Sequence, residues 1–97
     1  MLLYNSDKNY SVHLEEDGAD RWITVSNGYC KSYDCCVGGV DDADIKTCVD
    51  TAYTLFYPAQ YVCDSLESND DRFRVLFLAR DAYEIDRALE QALTTLQ

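Results

Sequence analysis

Hydrophobic and polar residues alternate near the start of the chain. Tyr10, Val12 and Leu14 interleave with Ser11, His13 and Glu15, the two-residue period of a strand with one buried face, and His13 falls on the outward side. Trp22-Ile23-Thr24-Val25 is rich in aromatic and β-branched residues and predicts a second strand. The acidic loop Glu15-Glu16-Asp17-Gly18-Ala19-Asp20 joins the two, with Asp17-Gly18 supplying the bend. Asn27-Gly28 is a strong hairpin signal, because both central residues of a type I′ turn need positive φ. A third strand, from about Tyr29 to Val37, is therefore expected to return antiparallel.

After Gly38-Gly39 the period changes to that of a helix. Ile45, Cys48, Val49, Ala52, Leu55 and Phe56 make an apolar stripe, and Asp41 or Asp42 is the expected cap. Pro58 should interrupt this helix and open a short second one through Tyr61, Val62 and Leu66, since proline suits a first turn and not a helix interior. Ser68-Asn69-Asp70-Asp71 reads as a turn. Phe73, Val75, Phe77 and Ala79 then alternate with Arg72, Arg74, Leu76 and Leu78 as a fourth strand, whose long apolar run suits a place inside the sheet. From Asp81, a candidate cap, the stripe Ala82, Ile85, Leu89, Ala92, Leu93 and Leu96 predicts a closing helix. The sum is an α+β fold: a three- to four-stranded antiparallel β-meander with two or three helices packed against it. At 97 residues it is expected to be a single domain, 1–97, and a monomer.

Charge narrows the function classes. Eighteen acidic side chains against eight basic ones give a net charge of −10, the wrong sign for direct binding to phosphate, so nucleic acid is not an expected ligand. No stretch approaches the ~20 apolar residues that span a bilayer. The segment MLLYNSDKNY also lacks the basic start and apolar run of a secretory signal, so a cytoplasmic protein without membrane contact is expected.

The cysteines Cys30, Cys35, Cys36, Cys48 and Cys63 are odd in number, which argues against a complete disulfide framework. Their C-x4-C-C spacing is not that of a zinc knuckle, and no metal or other cofactor is expected. Cys48 lies on the apolar helix face, where a thiol packs as a small hydrophobe. A Cys/His nucleophilic pair would need an orienting group and an oxyanion pocket that the sequence does not show, so no catalytic residue is assigned.

The negative charge is unevenly distributed. Residues 1–71 hold 14 acidic and 4 basic side chains, whereas residues 72–97 hold 4 of each. The carboxylates fall in groups: Glu15, Glu16, Asp17 and Asp20; Asp41, Asp42, Asp44 and Asp50; and Asp64, Glu67, Asp70 and Asp71. Each can be a cap or a solvated loop that keeps the protein soluble. They can also form rows. Helical positions three or four apart stand about 5–6 Å apart, and alternate strand positions about 6.7 Å, comparable to successive phosphates on a nucleic-acid strand. Rigid carboxylates at such spacing compete for the Lys and Arg of a DNA-binding groove, and the process requires no catalysis. Tyr29, Tyr33, Tyr57 and Tyr61 are candidate aromatic anchors amid the charge.

Small, α+β in pattern and carrying LEEDGAD, VDDADIKTCVD and SNDD, the chain resembles the phage-borne anti-CRISPR proteins that act as DNA mimics. Its length and charge are similar to those directed at the type I-F surveillance complex. The resemblance implies action in the cytoplasm of a bacterial host. It also implies a protein partner, the basic DNA-binding surface of a CRISPR effector complex, met where target duplex enters beside the protospacer-adjacent motif. Glu15, Glu16, Asp17 and Asp20 are the first candidates for contact, followed by Asp41, Asp42 and Asp44, and then Asp64, Glu67, Asp70 and Asp71. An inhibitor of another DNA-binding protein, or an acidic adaptor or immunity-type protein that covers a basic enzyme, fits the same charge. A metal or redox domain built on Cys30, Cys35 and Cys36, and paired-carboxylate hydrolysis, are further alternatives.

Overall fold

The alternation at Tyr10–Glu15 becomes an inner strand of an antiparallel sheet. In the computed structural model, which describes residues 1–6, 9–27, 32–38, 44–62, 73–76 and 82–96, the strands are β1 (Leu2–Asn5), β2 (Ser11–Asp17), β3 (Asp20–Ser26), β4 (Ser32–Gly38) and β5 (Phe73–Leu76). The helices are α1 (Ile45–Val62) and α2 (Ala82–Thr95). Strands β1 to β4 form a consecutive meander, and β5 adds beside β4 to complete the order β1-β2-β3-β4-β5. The fold is α+β, with both helices packed against the sheet.

Register explains which face is covered. Val12 pairs with Val25 and Val25 with Tyr33, while Leu14 pairs with Ile23 and Ile23 with Cys35, so the six residues share one face in two rows. All six are buried beneath the helices. Helix α1 lies over β4 and β3 and supplies Cys48, Val49, Ala52 and Phe56 to the core; α2 lies over β1 and β2 and supplies Ile85, Ala88, Leu89 and Ala92. Tyr33 ties the layers together. Its hydroxyl donates a 3.0 Å hydrogen bond to the Ala52 carbonyl, and its ring meets Phe56 edge to face with centroids 5.0 Å apart. Burial, with a smaller contribution from neighbouring Cys35, pushes the Tyr33 phenol far above its ordinary range.

Several expectations are corrected. Leu2–Asn5 is a strand that no alternation announces, paired to β2 through a bulge between Leu2 and Tyr4. The acidic loop is shorter than expected, because Glu15, Glu16 and Asp17 lie in β2 and Asp20 begins β3. Gly18 takes the first central turn position with φ of 65°, a conformation that suits glycine in a two-residue hairpin loop. Asn27-Gly28 does not set a two-residue turn. Such a turn would pair Ser26 with Tyr29, whereas the register pairs Ser26 with Ser32 and leaves residues 27–31 as the connection.

Asp44, rather than Asp41 or Asp42, caps α1. The helix runs past Pro58 to Val62 as one element, although proline cannot donate to the Thr54 carbonyl. The buried face from Cys48 to Phe56 anchors the preceding turns and offsets that loss. Strand β5 sits at the sheet edge and not inside, since a strand arriving after α1 adds beside β4 without splitting pairs already made. The expected continuation of β5 over residues 77–79, the cap at Asp81 and the turn at residues 68–71 lie outside the described residues.

Candidate protein-docking surface

Because both helices cover the Val12–Tyr33 face, the alternate residues of β2, β3 and β4 form an open face. Ser11, His13, Glu15 and Asp17 project there from β2, alongside Asp20, Trp22, Thr24 and Ser26 from β3. Cross-strand pairing sets Glu15 opposite Trp22, Trp22 opposite Cys36, and Asp17 opposite Asp20. Asp34 of β4 lies in the row of His13 and Thr24, opposite Arg74 in register.

The first carboxylate group is thus assembled as a rigid end of a hairpin. Residues 15–20 are all exposed. Glu15, Asp17 and Asp20 share the open face, and Glu16 points to the other side. Like charges directly opposite each other, as Asp17 and Asp20 are, oppose strand pairing. Neutralisation is slight. Arg21 Nε stands 3.8 Å from Glu16 Oε1, and the amino-terminal nitrogen stands 3.9 Å from Glu15 Oε1. Both carboxylates are more than half exposed, at 56% for Glu15 and 71% for Glu16, so water screens these pairs strongly.

Asp44 belongs to a different setting. Its Oδ1 accepts a 2.7 Å bond from the Thr47 N–H. Hydrogen bonds from Thr47, assisted by the charge of Lys46, hold its carboxyl below the ordinary range. Asp44 and Glu16 border one groove of about 650 Å³, together with Arg21, Lys46, Leu14 and Ile45. Arg21 and Lys46 offset the two carboxylates there, and Met1 lines the groove as well, so the groove does not extend the negative field of the hairpin. Asp50 is exposed on α1 and stands apart beside Lys46 and Thr47.

The structure therefore brings Glu15, Glu16, Asp17 and Asp20 together and sets Asp44 to a capping task. Asp41, Asp42, Asp64, Glu67, Asp70 and Asp71 lie outside the described residues, as do the aromatic candidate Tyr29 and the thiols Cys30 and Cys63. Tyr33 is a core residue and not an anchor. Cys48 is buried as its helical position predicts, and Cys35, Cys36 and Cys48 are free thiols. Among the described residues no group of three or more His, Cys, Asp or Glu side chains could hold a metal ion, and no helix is long and apolar enough to cross a membrane.

Sequence reasoning missed Trp22 as part of this surface. Its strand period puts it on the side opposite Ile23, and that signal was present in Trp22-Ile23-Thr24-Val25. Set against family models, curated proteins and solved structures, the chain has no match in any of the three.

Proposed function

We propose that this protein is a non-enzymatic inhibitor that imitates double-stranded DNA and occupies a Lys- and Arg-lined target-DNA site. One observation carries the reading: Glu15, Asp17 and Asp20 stand exposed on one sheet face at the end of a hairpin, with Glu16 exposed on the opposite side of the same hairpin. Alternate strand positions repeat at about 6.7 Å, and directly opposed positions stand about 4.5–5.5 Å apart, so the row offers a polyanion's spacing on a fixed backbone. A partner that binds DNA through counterion release gains the same release and the same steering from such a row. The like-charge opposition of Asp17 and Asp20 costs stability in the free protein, and a cationic partner removes that cost on binding. Trp22, beside Glu15, adds an aromatic surface on which a guanidinium can stack. The overall charge of −10 disfavours nucleic acid itself as the ligand.

Resemblance in size and charge supports the type I-F CRISPR surveillance complex of a bacterial host as the target, at the place where duplex enters. The test is charge reversal on the open face. The triple variant Glu15→Lys, Asp17→Lys, Asp20→Lys is expected to bind that complex at least about 100-fold more weakly and to lose most of the salt dependence of binding. Wild-type affinity and salt dependence in the triple variant would remove the hairpin from the interface.

A further inference from the structure

The strand that carries Glu15 carries a second arrangement, in which that carboxylate stands beside two side chains that acid mimicry does not use. Ser11, His13 and Glu15 occupy alternate positions of β2 and share the open face. His13 Nε2 stands 3.0 Å from Ser11 Oγ, and His13 Nδ1 stands 3.8 Å from Glu15 Oε1. The imidazole thus spans the interval between its two neighbours, with one ring nitrogen toward each. We propose that Ser11 is an activated nucleophile that accepts the acyl group of an ester with a good leaving group, with His13 as its general base and Glu15 as the residue that positions the imidazole.

The assignment follows from hydrogen-bond capacity. The Ser11 hydroxyl has one proton and three acceptors in reach, His13 Nε2 at 3.0 Å, Ser26 Oγ at 3.3 Å and the Ser26 carbonyl at 3.4 Å, and the imidazole is the nearest. When Nε2 accepts, the ring proton is on Nδ1 and faces the Glu15 carboxylate, the tautomer a general base requires. At 3.8 Å that second contact is an ion-pair distance that tightens as the imidazole becomes charged. Ser26 Oγ lies 3.3 Å from Ser11 Oγ, and Asn5 stands opposite Ser11 in register on β1.

The sheet limits the substrate class. Backbone N–H groups of β2 are committed to the ladder with β1 and β3, so among the described residues they offer no oxyanion donor to assist a poor leaving group. Aryl esters suffice. Ser11 Oγ attacks the carbonyl carbon and forms the new C–O bond while its proton passes to His13 Nε2. The tetrahedral adduct then expels the aryl oxide, which leaves with the bonding electron pair, and His13 returns its proton to solvent. The product is O-acyl Ser11.

p-Nitrophenyl acetate tests this on the intact protein, with nitrophenolate release followed by absorbance and the acetyl group located by peptide mass spectrometry. Acetylation of Ser11 is expected to outpace that of Ser26 by about 100-fold, the scale of general-base assistance, and to fall by a similar factor in His13→Gln. Ser11→Ala should lose the corresponding fraction of nitrophenolate release. Glu15→Gln should slow acetylation several-fold while Glu15→Asp retains most of it, a distinction that a purely structural role would not produce. Equal acetylation of Ser11 and Ser26, an unchanged Ser11 rate in His13→Gln, or acetyl groups confined to lysine, cysteine and the amino terminus would each overturn the proposal. These readouts do not involve the cationic partner, so their outcome is independent of the inhibitor reading.

Discussion

The two faces of the β2–β3–β4 sheet are built from alternate residues of the same strands and obey different rules. On one, Val12, Leu14, Ile23, Val25, Tyr33 and Cys35 are packed under two helices, and every volume is fixed by a neighbour. On the other, Ser11, His13, Glu15, Asp17, Asp20, Trp22 and Thr24 lie on the side away from α1 and α2, the two helices among the described residues. A residue on the covered face is chosen by packing, whereas a carboxylate pair such as Asp17 and Asp20 finds no justification in packing. The difference separates what the fold requires from what it merely tolerates, and it locates the latter at the hairpin end.

The largest effect should come from the covered face. Phe56→Ala removes a fully buried ring from the edge-to-face contact with Tyr33 and should lower unfolding free energy by about 3–5 kcal/mol in a denaturant titration. A loss no greater than that of an open-face substitution would break the comparison. Next comes Tyr33→Phe. Deleting the hydroxyl leaves the Ala52 carbonyl without that donor and should cost about 1–2 kcal/mol at neutral pH.

The same residue gives a pH signature. Its folded phenol is held far above the ordinary value near 10, so above about pH 10 the unfolded chain releases this proton and the folded one keeps it. Stability is therefore full below that pH and falls by up to about 1.4 kcal/mol per unit above it, until the folded phenol ionises. Stability curves of Tyr33→Phe and wild type should converge as pH rises through that window, and parallel curves would show that burial of this hydroxyl is not what sets alkaline stability.

Open-face changes should be smaller and opposite in sign. Asp20→Lys replaces a like-charge cross-strand pair with an opposite-charge one and should stabilise the domain by about 0.2–1 kcal/mol, while weakening attachment to a cationic partner. A variant that is both more stable and less active would sharpen the contrast between the faces, and a destabilised one would show that Asp20 serves the fold. The smallest expected effect is Asp44→Ala. Its carboxylate is fully exposed and its pKa lowered, so the cap contributes at neutral pH and is lost as pH falls through the carboxylate range. A slightly lower melting temperature at pH 7, and a smaller difference from wild type at acid pH, are the outcomes to check.

The alternation of Tyr10 to Glu15 made β2 legible down to the outward side of His13, and the stripes of α1 and α2 identified most of their buried positions, because a two- or 3.6-residue period is a local signal. The edge position of β5 was not legible, because strand order depends on contacts distant in sequence. Asn27-Gly28 was misread because the turn that a dipeptide favours yields to the register that Val25 and Tyr33 need to share one face. At the docking surface, Glu15, Glu16, Asp17 and Asp20 were visible as a charge run. Their division between two sheet faces, and the presence of Trp22 and His13 beside them, depended on a hairpin shorter than the acidic stretch implied.

Competition at the proposed binding site tests the central claim most directly. A labelled duplex bearing the protospacer-adjacent motif, bound to purified type I-F surveillance complex, should be displaced stoichiometrically by this protein and not by the charge-reversed hairpin variant. A stable assembly holding complex, duplex and this protein together would contradict the account.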